Sequence, residues 1–451
     1  MKTDISVLGR VSRFLRGFRR DDGAVAVQFA LVALPLAITV FGVFDVSRAS
    51  NEKMHLQDAL DAAALAAARS PATTDSQLQA IGASVLAADL SVSKAVLKSS
   101  SFKLEGSKVV ATAQATISPY VAGLWLDGDM VLGAETEVTR SANNLEVALA
   151  LDVTGSMSGS KISDLKDAAK ELVDLVVQDV QTPYYTKLAI VPYSMGVNLG
   201  GYAQAARGSY SSGTCTSPGC QNYKFTNARG NLVTFPISTC VTERTGSQAY
   251  TDAAPGGAPV GRNYPSTNNP CPSATIMPLS TDRSALKSRI DDLQAAGSTA
   301  GQIGVGWGWY MVSPNFGSLW PAASRPAPYG TEKLLKVMVL MTDGDFNTTY
   351  CNGVISKDAG SGSGSSNDKI NCNATNGDAF AQAKTLCTNM KAAGVIVYTV
   401  GFDVGGAQQA QNLLQSCATD AKHVYLPSSG AALKDAFRAI GQDISQLRLS
   451  R

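Results

Sequence analysis

Three short segments of the chain carry side chains suited to holding a cation. Leu151-Asp152-Val153-Thr154-Gly155-Ser156-Met157 spaces one carboxylate and two hydroxyls two residues apart. Gly297-Ser298-Thr299 adds a third hydroxyl, and Met341-Thr342-Asp343-Gly344 a second carboxylate. Oxygen donors suit a hard divalent ion, and Mg²⁺ in particular takes near-octahedral oxygen ligands while keeping several waters. Hydroxyls are weak neutral ligands, so an ion held largely by them stays electrophilic and can accept a carboxylate from another molecule. Asp-x-Thr-x-Ser by itself is common turn and cap composition. The information lies in three such segments occurring together. Other chemistry is thinly supplied. The two histidines are His55 and His423, and no Cys-x-x-Cys pair occurs. His423 has no evident nucleophile beside it, which puts a hydrolase built on Asp152, Asp343 and a metal last among the readings.

These segments need elements to position them. Apolar stretches Leu145–Val153, Lys187–Tyr193, Lys336–Met341 and Val395–Val400, then His423–Leu426, read as strands. They alternate with helical patterns over Ser163–Gln178, Asp282–Ala296, Asp378–Ala393 and Ala431–Leu447. Such alternation predicts an α/β domain over 144–447 with a doubly wound, mostly parallel sheet and a ligand site at the carboxyl ends of its strands. Two stretches break the rhythm, about 206–278 and 348–376, both rich in small polar residues. Loops of that length are functional insertions or disordered segments. Both leave near the ligand end of the sheet, where they are expected to shape access, with inert decoration as the alternative.

The first part of the chain has another character. Lys2, Arg10, Arg13, Arg16, Arg19 and Arg20 crowd a basic tail over 1–22, and the uncharged run Ala24–Phe44 follows. As a helix this run would span about 31 Å, the thickness of a bilayer's hydrocarbon core. A transmembrane helix over 23–45 is expected, with the basic end held in the cytoplasm and the rest sent across. No small-residue cleavage site follows Phe44, so the anchor is expected to be retained. An Ala-rich helical stalk over 46–70 carries Leu56, Leu60, Ala63 and Ala67 on one face. That face could meet a partner helix or its own domain. Pro71 closes it, and a small mixed α+β module over 71–143 follows.

All eight cysteines lie beyond the anchor, which fits disulfides in an oxidising compartment, with the first four pairing among themselves. The formal charge of +2 gives no field that would attract nucleic acid. No small-molecule substrate is expected.

Over roughly Leu145–Leu447, the three cation-binding segments together resemble the von Willebrand factor A domain with its metal-ion-dependent adhesion site. The resemblance implies that Thr154, Ser156 and Thr299 coordinate the metal directly, and that Asp152 and Asp343 act largely through water. It also implies one open position for an acidic side chain. The ion would be Mg²⁺, with Mn²⁺ or Ca²⁺ as alternatives. The segment Arg19-Arg20-Asp21-Asp22-Gly23 to Phe29, with Leu56-Gln57-Asp58-Ala59-Leu60 further on, resembles Tad (Flp) pilus-assembly proteins of the TadE/TadG type. With the A-type domain downstream, the arrangement is most similar to the TadG branch. Pilin-like members carry Glu five residues after a Gly cleavage site, where this chain has Gln28. An amide cannot supply the charge that neutralises a neighbour's amino terminus. The expected product is a single-pass bacterial inner-membrane protein whose main domain is extracytoplasmic and whose partners belong to the pilus or its assembly machinery. It would be noncatalytic, with a metal-independent envelope scaffold as the nearest alternative.

Overall fold

The structure, a computed structural model, describes all residues except 1–20, 71, 73, 106–107, 122, 124–127, 141–142, 210–220, 360–363 and 450–451. The basic tail, Pro71, Cys215 and Cys220 therefore lie outside the described residues. The chain divides into two compact units, Met1–Arg140 and Ser141–Arg451.

In the first unit one helix, α1 (Asp21–Arg69), runs through both the expected anchor and the expected stalk. Its two halves differ in what they bury. Phe29 and Val32 are 73% and 67% exposed, and Leu36, Val40, Phe41 and Phe44 are exposed as well. The helix is long and apolar enough to cross a membrane. From Ala49 onward the other half is buried through Leu56, Leu60, Ala63 and Ala67, at the spacing of one helical face. That face closes a core with α2 (Asp75–Asp89) and an antiparallel sheet of β1 (Val96–Glu105), β2 (Lys108–Ile117) and β3 (Met130–Thr139). The Ala-rich face thus packs on its own unit, and 46–69 shares one core with the module after it. The Arg140 guanidinium donates to the carbonyls of Ala68, Ser70 and Ala72, satisfying acceptors that the end of α1 leaves open.

The second unit is built on a nine-stranded sheet. Its parallel centre runs β5 (Thr186–Tyr193), β4 (Asn144–Asp152), β10 (Leu334–Thr342), β11 (Ile396–Gly401) and β12 (Val424–Tyr425). The central strands are apolar almost throughout because helices cover both faces. On one face lie α3 (Ser160–Val176), α4 (Arg283–Asp291) and α8 (Gly430–Leu449), where Leu165, Leu172, Phe437 and Ile440 meet the sheet. On the other lie α5 (Gly301–Val312), α6 (Ala379–Ala392) and α7 (Gln408–Cys417).

The structure corrects the sequence reading in two places. The helix expected over Asp282–Ala296 stops at Asp291, and a helix absent from that reading, α5, begins at Gly301. Every residue of α5 is buried. A Cβ on Gly304 would come within 2.4 Å of the Tyr193 ring and one on Gly308 within 2.9 Å of Met338. Glycines that weigh against a helix in isolation here let it lie close on the sheet. Second, the stretch 206–278 does not stand outside the sheet. It supplies β7 (Cys240–Thr242) and β8 (Gly261–Arg262), and β9 (Met277–Ser280) begins at its end. With β6 (Val197–Asn198) these extend the sheet antiparallel beyond β5. Disulfides join Cys240 to Cys271, Cys351 to Cys372, and Cys387 to Cys417.

Candidate metal centre

The site forms where β4, β5 and β10 end side by side, since Leu151 pairs with Met341 and Asp152 with Tyr193 across the parallel ladders. Asp152 is fully buried. Its Oδ1 accepts from the Thr154 backbone N–H at 2.9 Å and its Oδ2 from the Thr342 hydroxyl at 2.8 Å, with the Tyr193 hydroxyl at 3.5 Å. Both oxygens are thereby used to fold the loop after β4 back over the strand ends. Burial first, and the nearby Asp343 second, push the Asp152 carboxyl up to about 6 against the pull of those hydrogen bonds.

That loop makes a single 3₁₀ turn, Gly155–Met157, before α3 begins. It presents Thr154 and Ser156 together, their hydroxyls 3.0 Å apart. The Ser156 hydroxyl donates to Asp343 Oδ1 at 2.6 Å, which brings in the end of β10. The third segment is tied by its backbone. Gly155 N–H donates to the Gly297 carbonyl at 2.9 Å, and Ala296 N–H to the Val153 carbonyl at 2.8 Å. Thr299 N–H donates to Asn347 Oδ1 at 2.9 Å, while its carbonyl accepts from the N–H groups of Asn347 and Thr348. The three segments therefore converge. Thr154, Ser156 and Asp343 are joined by their side chains, whereas the third segment is tied to the first through Ala296 and Gly297, and Thr299 itself bonds Asn347 and Thr348.

Several further residues hold this arrangement, and of these Asn269, Ser194 and Lys161 carried no signal in the sequence reading. Gly297 sits at φ +84, where a side chain would press on Asn269 Oδ1 and Ser194 Oγ at 3.0 Å. Asn269, within the 206–278 stretch, grips Ser298 twice, accepting from its N–H at 3.0 Å and donating to its hydroxyl at 2.8 Å. Ser194 Oγ is buried beside Gly297 without a hydrogen-bond partner. Lys161, in the first turn of α3, places its ammonium 3.2 Å from Asp343 Oδ2 and 3.3 Å from Asp403 Oδ2.

The donor set fits a small divalent ion. Neighbouring oxygens in an octahedral shell at Mg²⁺ distances lie about 3 Å apart, and Thr154, Ser156 and Asp343 already present oxygens at 3.0 and 2.6 Å. Among the described residues no group of three or more His, Cys, Asp or Glu side chains is placed to hold a metal. Any ion held here depends on the hydroxyls.

Among solved structures, the chain is similar to the pilus adhesin SpaC from Lactobacillus rhamnosus GG, at 13% identity and TM-score 0.35, covering 78% of this chain and 34% of that one. It thus spans about a third of SpaC's length. The vWF domain of the type V pili tip protein Mfa5 from Porphyromonas gingivalis matches at 12% identity and TM-score 0.36, over 67% of this chain and 95% of that domain. Proximal thread matrix protein 1 from the mussel byssus, solved with a zinc-occupied MIDAS motif, matches at 14% identity and TM-score 0.30, over 69% and 47%. These likenesses are loose. No curated protein matches the chain. A family model does: residues 23–70 match Tad, the Flp pilus-assembly TadE/G-like family. The long N-terminal helix of this chain thus carries a segment similar to TadE/G-like pilus-assembly proteins, on the same chain as an α/β domain with hydroxyls and carboxylates gathered at its strand ends.

Proposed function

We propose that the protein is a membrane-anchored, noncatalytic pilus-assembly or adhesion factor of TadG type, whose α/β domain grips an acidic group of a protein partner through a divalent ion. Asp152, Thr154, Ser156, Thr299 and Asp343 would hold that ion, Mg²⁺ in the first instance. The observation that carries this reading is the meeting of Thr154, Ser156 and Asp343 at the ends of β4 and β10, with the Gly297–Thr299 segment held alongside by main-chain hydrogen bonds. Thr154 and Ser156 offer neutral oxygens, Asp343 offers charge, and Asp152 keeps the loop in place from below. When bound, the ion would supply a Lewis-acidic vertex for a carboxylate from outside. The anchor would be Ala24–Phe44 in the bacterial inner membrane, with the N-terminus cytoplasmic and the domain extracytoplasmic. The TadE/G-like match over 23–70 supports a place in pilus assembly.

Ser156→Ala should abolish divalent-ion binding by the purified chain and, in cells, abolish pili. Loss of ion binding with normal piliation would sink the metal-dependent role. The metal-independent scaffold gains some support from Lys161, which already sets a positive charge against Asp343. Under that reading Ser156→Ala is silent, while removing Asn51–Arg69 is not.

A further inference from the structure

We propose that Lys161 is the resident counter-ion of this centre: its ammonium neutralises Asp343 when no metal is held and withdraws onto Asp403 when a divalent ion takes its place. This rests on the metal reading above.

The geometry sets the two carboxylates apart. Lys161 Nζ lies 3.2 Å from Asp343 Oδ2 and 3.3 Å from Asp403 Oδ2, so a small movement changes which of them it serves. The Asp343 side chain is 1% exposed, whereas that of Asp403 is 56% exposed. A buried carboxylate without a counter-charge is costly, and a solvated one is not. Asp343 therefore needs a cation and Asp403 can wait for one. Asp343 also divides its oxygens, giving Oδ1 to Ser156 among the hydroxyls and Oδ2 to Lys161.

Two further features show that this placement is imposed. A lysine in the first turn of a helix opposes the positive end of the helix dipole, and specific carboxylates have to offset that. Asp403 sits at φ +57, a left-handed conformation that Asp adopts more readily than most residues other than glycine. It is held there because Phe402 N–H donates to the Thr342 carbonyl and Asp403 N–H to the Pro427 carbonyl, both at 2.8 Å. The turn after β11 is thereby hooked to the end of β10, and its carboxylate stands beside the lysine.

The test uses the full chain in detergent, titrated calorimetrically with MgCl₂ and MnCl₂, with thermal unfolding in EDTA alongside. Lys161→Met, which keeps the apolar stem, should bind the ions about fivefold to tenfold more tightly because no ammonium has to leave. Lys161→Arg should stay near wild type. Asp403→Asn should weaken binding by removing the place to which the lysine withdraws, and should have no effect on top of Lys161→Met. In EDTA, Lys161→Met should unfold about 2–4 °C lower than wild type, and saturating Mn²⁺ should erase that gap. If both proteins bind and Lys161→Met is no tighter, or if Asp403→Asn still acts in the double variant, the counter-ion role is overturned alone. If neither protein shows heat or stabilisation with either ion, the metal reading fails and takes this proposal with it.

Discussion

Strand β4 carries a carboxylate near each end, and the protein treats the two in opposite ways. Near the start of the strand, Glu146 faces Lys336 in register on β10, with Lys336 Nζ 2.5 Å from Glu146 Oε2. Glu146 Oε1 accepts from Tyr185 and from the Ala327 N–H, and Lys336 also donates to the Val312 carbonyl. Each charge is closed by a fixed opposite charge and by hydrogen bonds. At the other end, Asp152 and Asp343 are surrounded by hydroxyls, and the one ammonium that reaches Asp343 is shared with a second carboxylate. A third case lies at the end of β7. The Glu243 carboxylate is withdrawn from solvent, and its Oε1 accepts from the Tyr350 N–H at 2.9 Å. Burial pushes its carboxyl up to about 7. A buried carboxylate thus meets a fixed cation, a movable cation or a proton, and the movable cation marks the site.

The largest effect should come from breaking the closed pair. Lys336→Met leaves Glu146 charged and buried, and should cost about 3–5 kcal/mol in denaturant unfolding. Lys336→Met combined with Glu146→Leu should recover most of that loss. A double variant as unstable as the single one would show that the pair is not closed in the sense used here.

Next comes Glu243. Its folded carboxyl binds a proton more tightly than the unfolded chain, whose value is 4.5. Between about pH 4.5 and 7 the folded protein therefore keeps a proton that the unfolded chain has released. As far as this group is concerned, stability is highest below that window and falls as pH rises through it, by roughly 3 kcal/mol. Glu243→Gln should remove this slope, and an unchanged slope in unfolding measured across the window would contradict the assignment.

The smallest effect belongs to the open end. Thr342→Val removes one of the donors to Asp152 and should cost only about 1 kcal/mol, while weakening divalent-ion binding through the loop it steadies. A loss as large as that of Lys336→Met would place the two ends of the strand in the same class.

Much of this was legible in the sequence because it depends on local pattern. The apolar runs of β4, β10 and β11 and the periodicity of α3 and α8 mark the sheet and one of its helical layers. The spacing of Asp152, Thr154 and Ser156 marks the loop. The face of Leu56, Leu60, Ala63 and Ala67 was also readable, though not what it would pack against, since that is settled by strands from Val96 onward. What stayed hidden depends on distant contacts. The glycines of α5 argue against a helix until Tyr193 and Met338 are seen beneath them. Residues 206–278 read as a loop because the strands they add to the main sheet, β7 and β8, are two or three residues long and are placed by pairing with β6 and with each other. Lys161 falls just before the helix expected over Ser163–Gln178, and only the fold brings it to Asp343 and Asp403.

The most direct test of the central claim is to locate Mn²⁺ by anomalous scattering in crystals of the protein. The account predicts one peak about 2.2 Å from the hydroxyl oxygens of Thr154 and Ser156, with Lys161 moved from Asp343 toward Asp403. Crystals grown in Mn²⁺ with no peak at the ends of β4 and β10, and with the ammonium of Lys161 still on Asp343, would contradict it.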